Sequence, residues 1–401
     1  MRIMSTQHYA CTRNMKISES LRERGHTVDL YHWASRNRFI KTNGGYAVVA
    51  PNSNLPLKRA FRQDQDAFFT NRDEAIFEGL IIEREHCAKY FDRVLFCPDW
   101  HAIYRRAKLY DVIMCHNAPS TYTVAACVAE QRPPVVAVWH DYYKYQAPQD
   151  MLVNPTRAGY WLCQGAATEL TDAHIWVSQP QFDYAVDTYP WMFPKPTMFL
   201  GNYASRRHVE EAYRHNIPKL PKDELHVVHM GSLISDEEER GKNVNHYNLA
   251  RIFTSIADRG VHVHMQCHRP APAYQLLAMR HKRIHWHDPV KEHEVIRELR
   301  KYHAGLCFSN VNETNLEHMK ASFPNKLFEY LPAGLPVITQ KEMKSISGFV
   351  TEHGCGIVTT PQDMPTDTAW LDSMSLPRPD EFTYGGHAEE VETFLQGVID
   401  G

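Results

Sequence analysis

Short apolar runs alternate with longer amphipathic stretches along most of the chain, which predicts strands separated by helices. Residues 1–4 form the first such run. A helical pattern follows around Ile17, Leu21 and Arg24 and stops at Gly25-His26, and residues 27–31 then read as the next strand. A glycine at the helix end completes this strand–helix–strand unit. Further strands are expected at 93–96, 111–115, 135–139 and 175–178. Strands with helical spacers imply a mostly parallel sheet covered by helices, with ligands at the strand C-terminal ends.

A second series begins after a proline-rich, polar break at 189–196. Its strands are expected at 225–230, 261–265, 283–286, 304–308, 335–339 and 356–359. The class is therefore α/β, with one domain over 1–204 and a second over 205–380. The remaining tail contains an amphipathic helix at 388–399, on which Val391, Phe394, Leu395 and Val398 share one face.

Composition narrows the function classes. The 401 residues carry 44 Lys+Arg against 47 Asp+Glu, a formal charge of −3. That balance excludes a generally basic nucleic-acid coat and a highly acidic chain. No window approaches the roughly 18 apolar residues of a membrane span, and the first residues lack the pattern of a signal peptide. Nine cysteines lie scattered with no CxxC pair, which argues against a disulfide framework. A cytoplasmic protein is expected, with peripheral attachment to a membrane left open.

The densest chemistry lies in Phe323-Pro324-Asn325-Lys326-Leu327-Phe328-Glu329-Tyr330-Leu331-Pro332-Ala333-Gly334-Leu335-Pro336-Val337-Ile338. Pro324 suits a first helical position, Leu327, Phe328 and Leu331 form an inward stripe, and Gly334 can end the helix. A helix N-terminus beside a strand end offers free N–H groups to a diphosphate. Glu329, about one turn on, would reach toward a neutral polyol.

This stretch resembles the donor-site signature of retaining GT-B glycosyltransferases of the family 4 type, in the subgroup written P-N/S-K-L-F-E-Y-x-x-x-G-x-P-V-I. Val228-His229-Met230-Gly231-Ser232 resembles the first strand and glycine turn of that family's second domain, and Arg240-Gly241 stands where the family has a basic residue plus glycine. Residues 284–290 resemble the strand and loop that hold the nucleotide base, and His303-Ala304-Gly305-Leu306 the strand after it. In the first domain, Gly25-His26-Thr27-Val28 and Trp139-His140-Asp141 resemble the family's G-H-x-V turn and its strand-end H-D pair.

The resemblance implies two Rossmann-like domains facing a cleft, with the last helix crossing back to the first. It implies transfer of a hexosyl or pentosyl group from a nucleotide-diphosphate sugar to a hydroxyl, with retention and without metal or other cofactor. Gly231, Ser232, Arg240 and Lys326 would hold the diphosphate, Glu329 the ribose, and His287, Pro289 and Val290 the base. His140 and Asp141 would face the sugar as the catalytic pair. Two departures stand out: the family's first glutamate is replaced by Ala321, and its glycine-rich first turn by Ser5-Thr6-Gln7-His8-Tyr9. Alanine at 321 cannot bond to the donor sugar, so the sugar is assigned instead to the backbone of Ser322, Phe323, Pro324 and Asn325.

Charge adds one feature. Residues 30–63 contain no Asp or Glu, yet carry Arg36, Arg38, Lys41, Lys58, Arg59 and Arg62 among Trp33, Phe39, Tyr46 and Phe61. This is either a solvated loop and helix face or a platform for an anionic acceptor. Acceptor contacts are assigned to Arg36, Arg38, Lys58 and Arg59 of this stretch and to His8 of the first turn. A polyprenyl-phosphate-linked sugar at a membrane surface and DNA with a hydroxymethylated base both suit such a platform. Further alternatives are a nucleotide-sugar 2-epimerase and an inactive module that binds sugar nucleotides or nucleic acid. Histidines also cluster at His262-Val263-His264 and His285-Trp286-His287. No zinc-ligand set there has a familiar structural spacing, so they read as strand residues lining a cleft or surface.

Overall fold

The computed structural model describes residues 1–7, 11–32, 39–42, 45–49, 56–61, 87–96, 100–117, 121, 124–125, 133–140, 155–188, 190, 194–235, 245–267, 271–313 and 315–401. Two compact units result. One gathers residues 1–143, 155–200 and 387–401, the other residues 201–386.

The first unit opens with β1 (Arg2–Gln7), α1 (Thr12–Glu23) and β2 (Thr27–His32). Three further strands, β3 (Phe39–Thr42), β4 (Gly45–Val49) and β5 (Pro56–Phe61), form a separate antiparallel sheet. Then come β6 (Arg93–Phe96), α2 (Trp100–Ala107), β7 (Val112–His116) and β8 (Val135–Trp139). The series closes with α3 (Pro155–Leu170), β9 (Ala173–Trp176), α4 (Gln179–Thr188) and β10 (Thr197–Phe199). Seven strands pair in parallel in the order β10-β9-β8-β7-β1-β2-β6. Their middle members are buried throughout, as expected of a parallel sheet covered on both faces.

One buried charge fixes the β2–β6 register. Asp29 on β2 is fully buried and lies opposite Arg93 on β6. The guanidinium grips the carboxylate through two bonds, one of 3.0 Å from Nε, and Tyr110 Oη donates to the same carboxylate at 2.6 Å. A buried carboxylate is tolerated because all of this satisfies it.

The second unit runs through α5 (Arg206–Tyr213), β11 (His226–Met230), α6 (Ala250–Asp258), β12 (His262–Gln266) and α7 (Pro272–Arg280). It continues through β13 (Ile284–His287), α8 (Val295–Leu299), β14 (Ala304–Cys307), α9 (Leu316–Ala321) and α10 (Leu327–Tyr330). It ends with β15 (Val337–Thr339), α11 (Lys344–His353) and β16 (Gly356–Val358). The sheet is parallel, in the order β13-β12-β11-β14-β15-β16. Successive strand residues feed opposite cores: Val227, Leu306 and Ile338 join one cluster, Val228, Cys307 and Val337 the other.

The final helix, α12 (Ala388–Asp400), belongs to the first unit. Val391 and Leu395 are buried and Phe394 and Val398 half-buried, so the apolar face read from the sequence is the one turned inward. Glu392 pairs with Arg24, just past α1, and with His26 at 3.1 Å.

Two sequence expectations fail here. The acid-free stretch is neither loop nor helix where it is described, since it supplies β3, β4 and β5. Pro324 is not a first helical position either. The helix starts at Leu327 and is four residues long, after a turn at Asn325-Lys326. So short a helix has almost no macrodipole, which removes that part of the anion argument.

Candidate functional site

In the first unit, a polar cluster forms where β1, β7 and β8 end. His140 follows β8 directly. Its amide donates to Asn117 Oδ1 at 2.9 Å, and Asn117, just past β7, holds φ at 63°. Both ring nitrogens of His140 are engaged: Nδ1 lies 3.3 Å from Cys11 Sγ and Nε2 lies 3.0 Å from His116 Nδ1. Cys11 caps α1, its Sγ accepting from the Asn14 amide, while Gln7 Oε1 accepts from the Cys11 amide and from Asn14 Nδ2. Arg13 is buried beside them and donates to the Trp139 carbonyl at 3.3 Å and to the Leu200 carbonyl at 2.6 Å.

Burial and the Arg13 charge set the protonation states. Burial lowers His140 well below the ordinary histidine range, with Arg13 and His116 adding to it. His116 falls to about 3 for the same first two reasons, and burial raises the Cys11 thiol. The cluster thus holds a neutral imidazole pair and a thiol rather than thiolate. Of its bonds, the sulfur contact is the weakest, so that nitrogen of His140 is the one most readily offered to a ligand hydroxyl.

In the second unit, β11 ends in Gly231, whose φ of 141° suits glycine. A Cβ there would stand 3.5 Å from Lys326 Nζ, so the ammonium lies directly against this turn. Lys326 Nζ also donates to the buried His229 ring at 3.5 Å, and burial lowers the lysine pKa while Cys307 and Glu329 oppose that. Tyr330, fully buried in α10, accepts from the Met230 amide at 2.9 Å and donates to the Leu306 carbonyl at 3.4 Å. The signature helix is thereby tied to the strand end it serves. Asn202 Nδ2 donates to the Phe323 carbonyl at 2.8 Å and steadies the turn before it.

The structure therefore brings together Gly231, Lys326 and, three residues on, half-buried Glu329; Ser232 follows the same turn. Ser322, Phe323 and Pro324 form an extended, half-buried segment. The Phe323 ring packs on Phe328 and Phe349 at 5.0 and 5.5 Å between centroids. Asn325 is exposed, and Ala321 is buried. Pro289 and Val290 follow β13. His287 instead turns Nε2 to His264 Nδ1 at 2.8 Å, as part of a row of histidines crossing β11, β12 and β13. Burial holds His226 in that row at about 4 and His264 at about 2. His8, Arg36, Arg38, Asp141 and Arg240 lie outside the described residues, and Lys58 and Arg59 are placed only as members of β5.

Sequence reasoning overlooked Cys11, Arg13, His116, Asn117, Gln181 and His229. A signal existed for one pair. His116-Asn117 closes an apolar strand just as His140 closes another, and Gln181 Nε2 reaches the His140 carbonyl at 3.5 Å.

Two parallel Rossmann-like sheets, each with its polar residues at strand ends, define a GT-B fold, and solved structures agree. The Anabaena protein Alr3699/HepE in complex with UDP-glucose superposes with a TM-score of 0.52 at 13% identity, over 100% of this chain and 98% of that one. Its complex with UDP and glucose gives 0.51 at 13% identity, with the same coverage. Residues 262–363 match the family model of the glucosyltransferase 3-like C-terminal domain. No curated protein sequence matches the chain. Among the described residues, no helix is long and apolar enough to cross a membrane.

Proposed function

We propose that this protein is a retaining glycosyltransferase that takes its sugar from a nucleotide diphosphate and delivers it to a hydroxyl. The observation that carries the reading is Lys326, an ammonium held against the open glycine turn of Gly231 at the end of the first strand of its sheet. Support comes from the glucosyltransferase-like model over 262–363 and from the UDP-glucose complex of HepE.

In the reaction, the bond between the anomeric carbon and the diphosphate oxygen breaks, and the acceptor oxygen bonds to the same face of that carbon. The acceptor proton passes to the leaving phosphate, so no enzyme nucleophile is required. Negative charge grows on the diphosphate, where Lys326, the Gly231 turn and Ser232 stabilise it, with Arg240 assigned alongside. Glu329 accepts from the ribose hydroxyls. His140, neutral, turns its Nδ1 or its carbonyl to the sugar, with Asp141 assigned alongside. This assigns charge neutralisation to protein cations, not to a divalent ion.

The test is product analysis by mass spectrometry over a panel of sugar nucleotides, with UDP binding followed by calorimetry. Lys326→Met should weaken UDP about tenfold to a hundredfold, the worth of a charge-assisted hydrogen bond. His140→Gln should reduce turnover and leave UDP affinity within about twofold of wild type. Unchanged UDP affinity in the lysine variant would remove the donor-site assignment. Nucleotide release at full rate without any acceptor would favour the epimerase alternative.

A further inference from the structure

At the end of the second sheet opposite the Gly231 turn, the strands begin with side chains that bear metal-ligand chemistry. Glu224 stands two residues before β11, His226 is the first residue of β11, and His262, its register partner, is the first residue of β12. One ligand atom from each lies within 4.8 Å of the others. We infer that Glu224, His226 and His262 form a binding site for a borderline divalent cation of the zinc type, separate from the donor site.

The ligand chemistry fits. Two imidazoles and a carboxylate make a familiar three-residue set for zinc, leaving a position for water. Bonds of about 2.0–2.2 Å from a central ion span up to about 4.4 Å, so small side-chain rotations close the set. The site is reachable: the Glu224 side chain is 45% exposed and that of His262 15%.

The surroundings supply a second, independent argument. A histidine bound to metal through one nitrogen needs a partner for the other, which fixes its tautomer and ring plane. Both histidines have one already. His226 Nδ1 meets His264 Nε2 at 3.0 Å, and His264 Nδ1 in turn meets His287 Nε2 at 2.8 Å. His262 Nδ1 meets His285 Nε2 at 2.8 Å. Each relay lets the ligand histidine donate Nδ1–H backward once its other nitrogen gives its lone pair to the metal. His262 Nε2 is 2.8 Å from Glu224 Oε2, the contact a cation would enter by displacing the bridging proton, with His285 accepting from the flipped tautomer. Arg283 Nη2 stands 3.5 Å from the other carboxylate oxygen, which leaves Oε2 as a monodentate ligand.

The competing account is a histidine row capped by a carboxylate that never meets metal, and it makes opposite predictions. Full-length protein stripped with a chelator is titrated with Zn²⁺ alone by calorimetry and with Co²⁺ by absorption. One ion per chain is expected, with tetrahedral cobalt bands and no thiolate charge-transfer band. Glu224→Gln and His262→Ala should each weaken Zn²⁺ at least tenfold, and His285→Ala, which removes only a backing partner, about tenfold. Glu224→Gln changes a half-exposed side chain, so an unchanged circular dichroism spectrum separates lost binding from lost folding. Sub-stoichiometric uptake, a thiolate band, or wild-type affinity in the Glu224 and His262 variants would overturn the site.

Discussion

Gly305 shows how far a single side chain can govern the donor half-site. It lies on β14 beneath the Tyr330 ring, and a Cβ added there would fall 2.3 Å from two ring carbons. Tyr330 has nowhere to retreat, being fully buried, and its hydroxyl ties the Met230 amide beside the Gly231 turn. Gly305→Ala should therefore cost about 1–3 kcal/mol of stability through overpacking. It should also weaken UDP binding, because Met230 loses its acceptor. Chemical denaturation and calorimetry measure the two effects. An alanine variant with wild-type stability would mean that the ring moves freely and that Tyr330 does not anchor the turn. At this scale the sequence was legible where one local motif carries the geometry, as in the segment that lays Lys326 against the Gly231 turn. It was silent where distant segments converge: Cys11, His116 and His140 meet only because β1, β7 and β8 end at the same edge of one sheet.

At the scale of elements, apolar periodicity located the strands well because buried parallel strands are continuous apolar runs. The strand expected at 135–139 is β8 itself, while that expected at 175–178 is β9, shifted two residues earlier because Val177 and Ser178 already turn toward α4. The acid-free stretch misled for a physical reason. An antiparallel sheet of its own needs no long apolar run, and its basic residues masked the alternation. Tyr46 on β4 pairs with Lys41 on β3 and with Phe61 on β5, and the β4–β5 register shifts between Ala47 and Val49. An acceptor platform on this stretch predicts that replacing Lys41, Lys58 and Arg59 together with glutamine raises the acceptor KM severalfold and leaves UDP affinity unchanged. An unchanged acceptor KM would return the stretch to a diffuse solvated charge.

At the scale of the whole molecule, the first unit should be acid-sensitive in a way set by its histidines. His116 and His174 are both buried in its sheet, and burial lowers each to about 3, with Arg13 pressing on His116 and Lys195 on His174. The His174 ring accepts from Trp139 Nε1 at 3.1 Å through Nδ1, so protonation there would set two donors against each other. The charged group facing His116 is Arg13, its ring neighbour His140 is neutral, and no carboxylate among the described contacts offsets the arginine. Because the folded pKa lies below the unfolded value of about 6.5, the unfolded state binds more protons between those limits. Stability is then complete above about pH 6.5 and falls as the pH drops toward about 3. Each histidine contributes about 1.4 kcal/mol per pH unit, or roughly 2.7 for the two. Hydrogen exchange followed by mass spectrometry on peptides from β7, β8 and β9 between about pH 4 and 6, corrected for intrinsic rates, reads this slope directly. His174→Gln should lower the slope and leave the share of His116 and His140, since the glutamine carbonyl can still accept from Trp139 but cannot titrate. A slope near zero in the native protein would mean that these rings reach water in the folded state, and the neutral pairing assigned to His116 and His140 would fall with it.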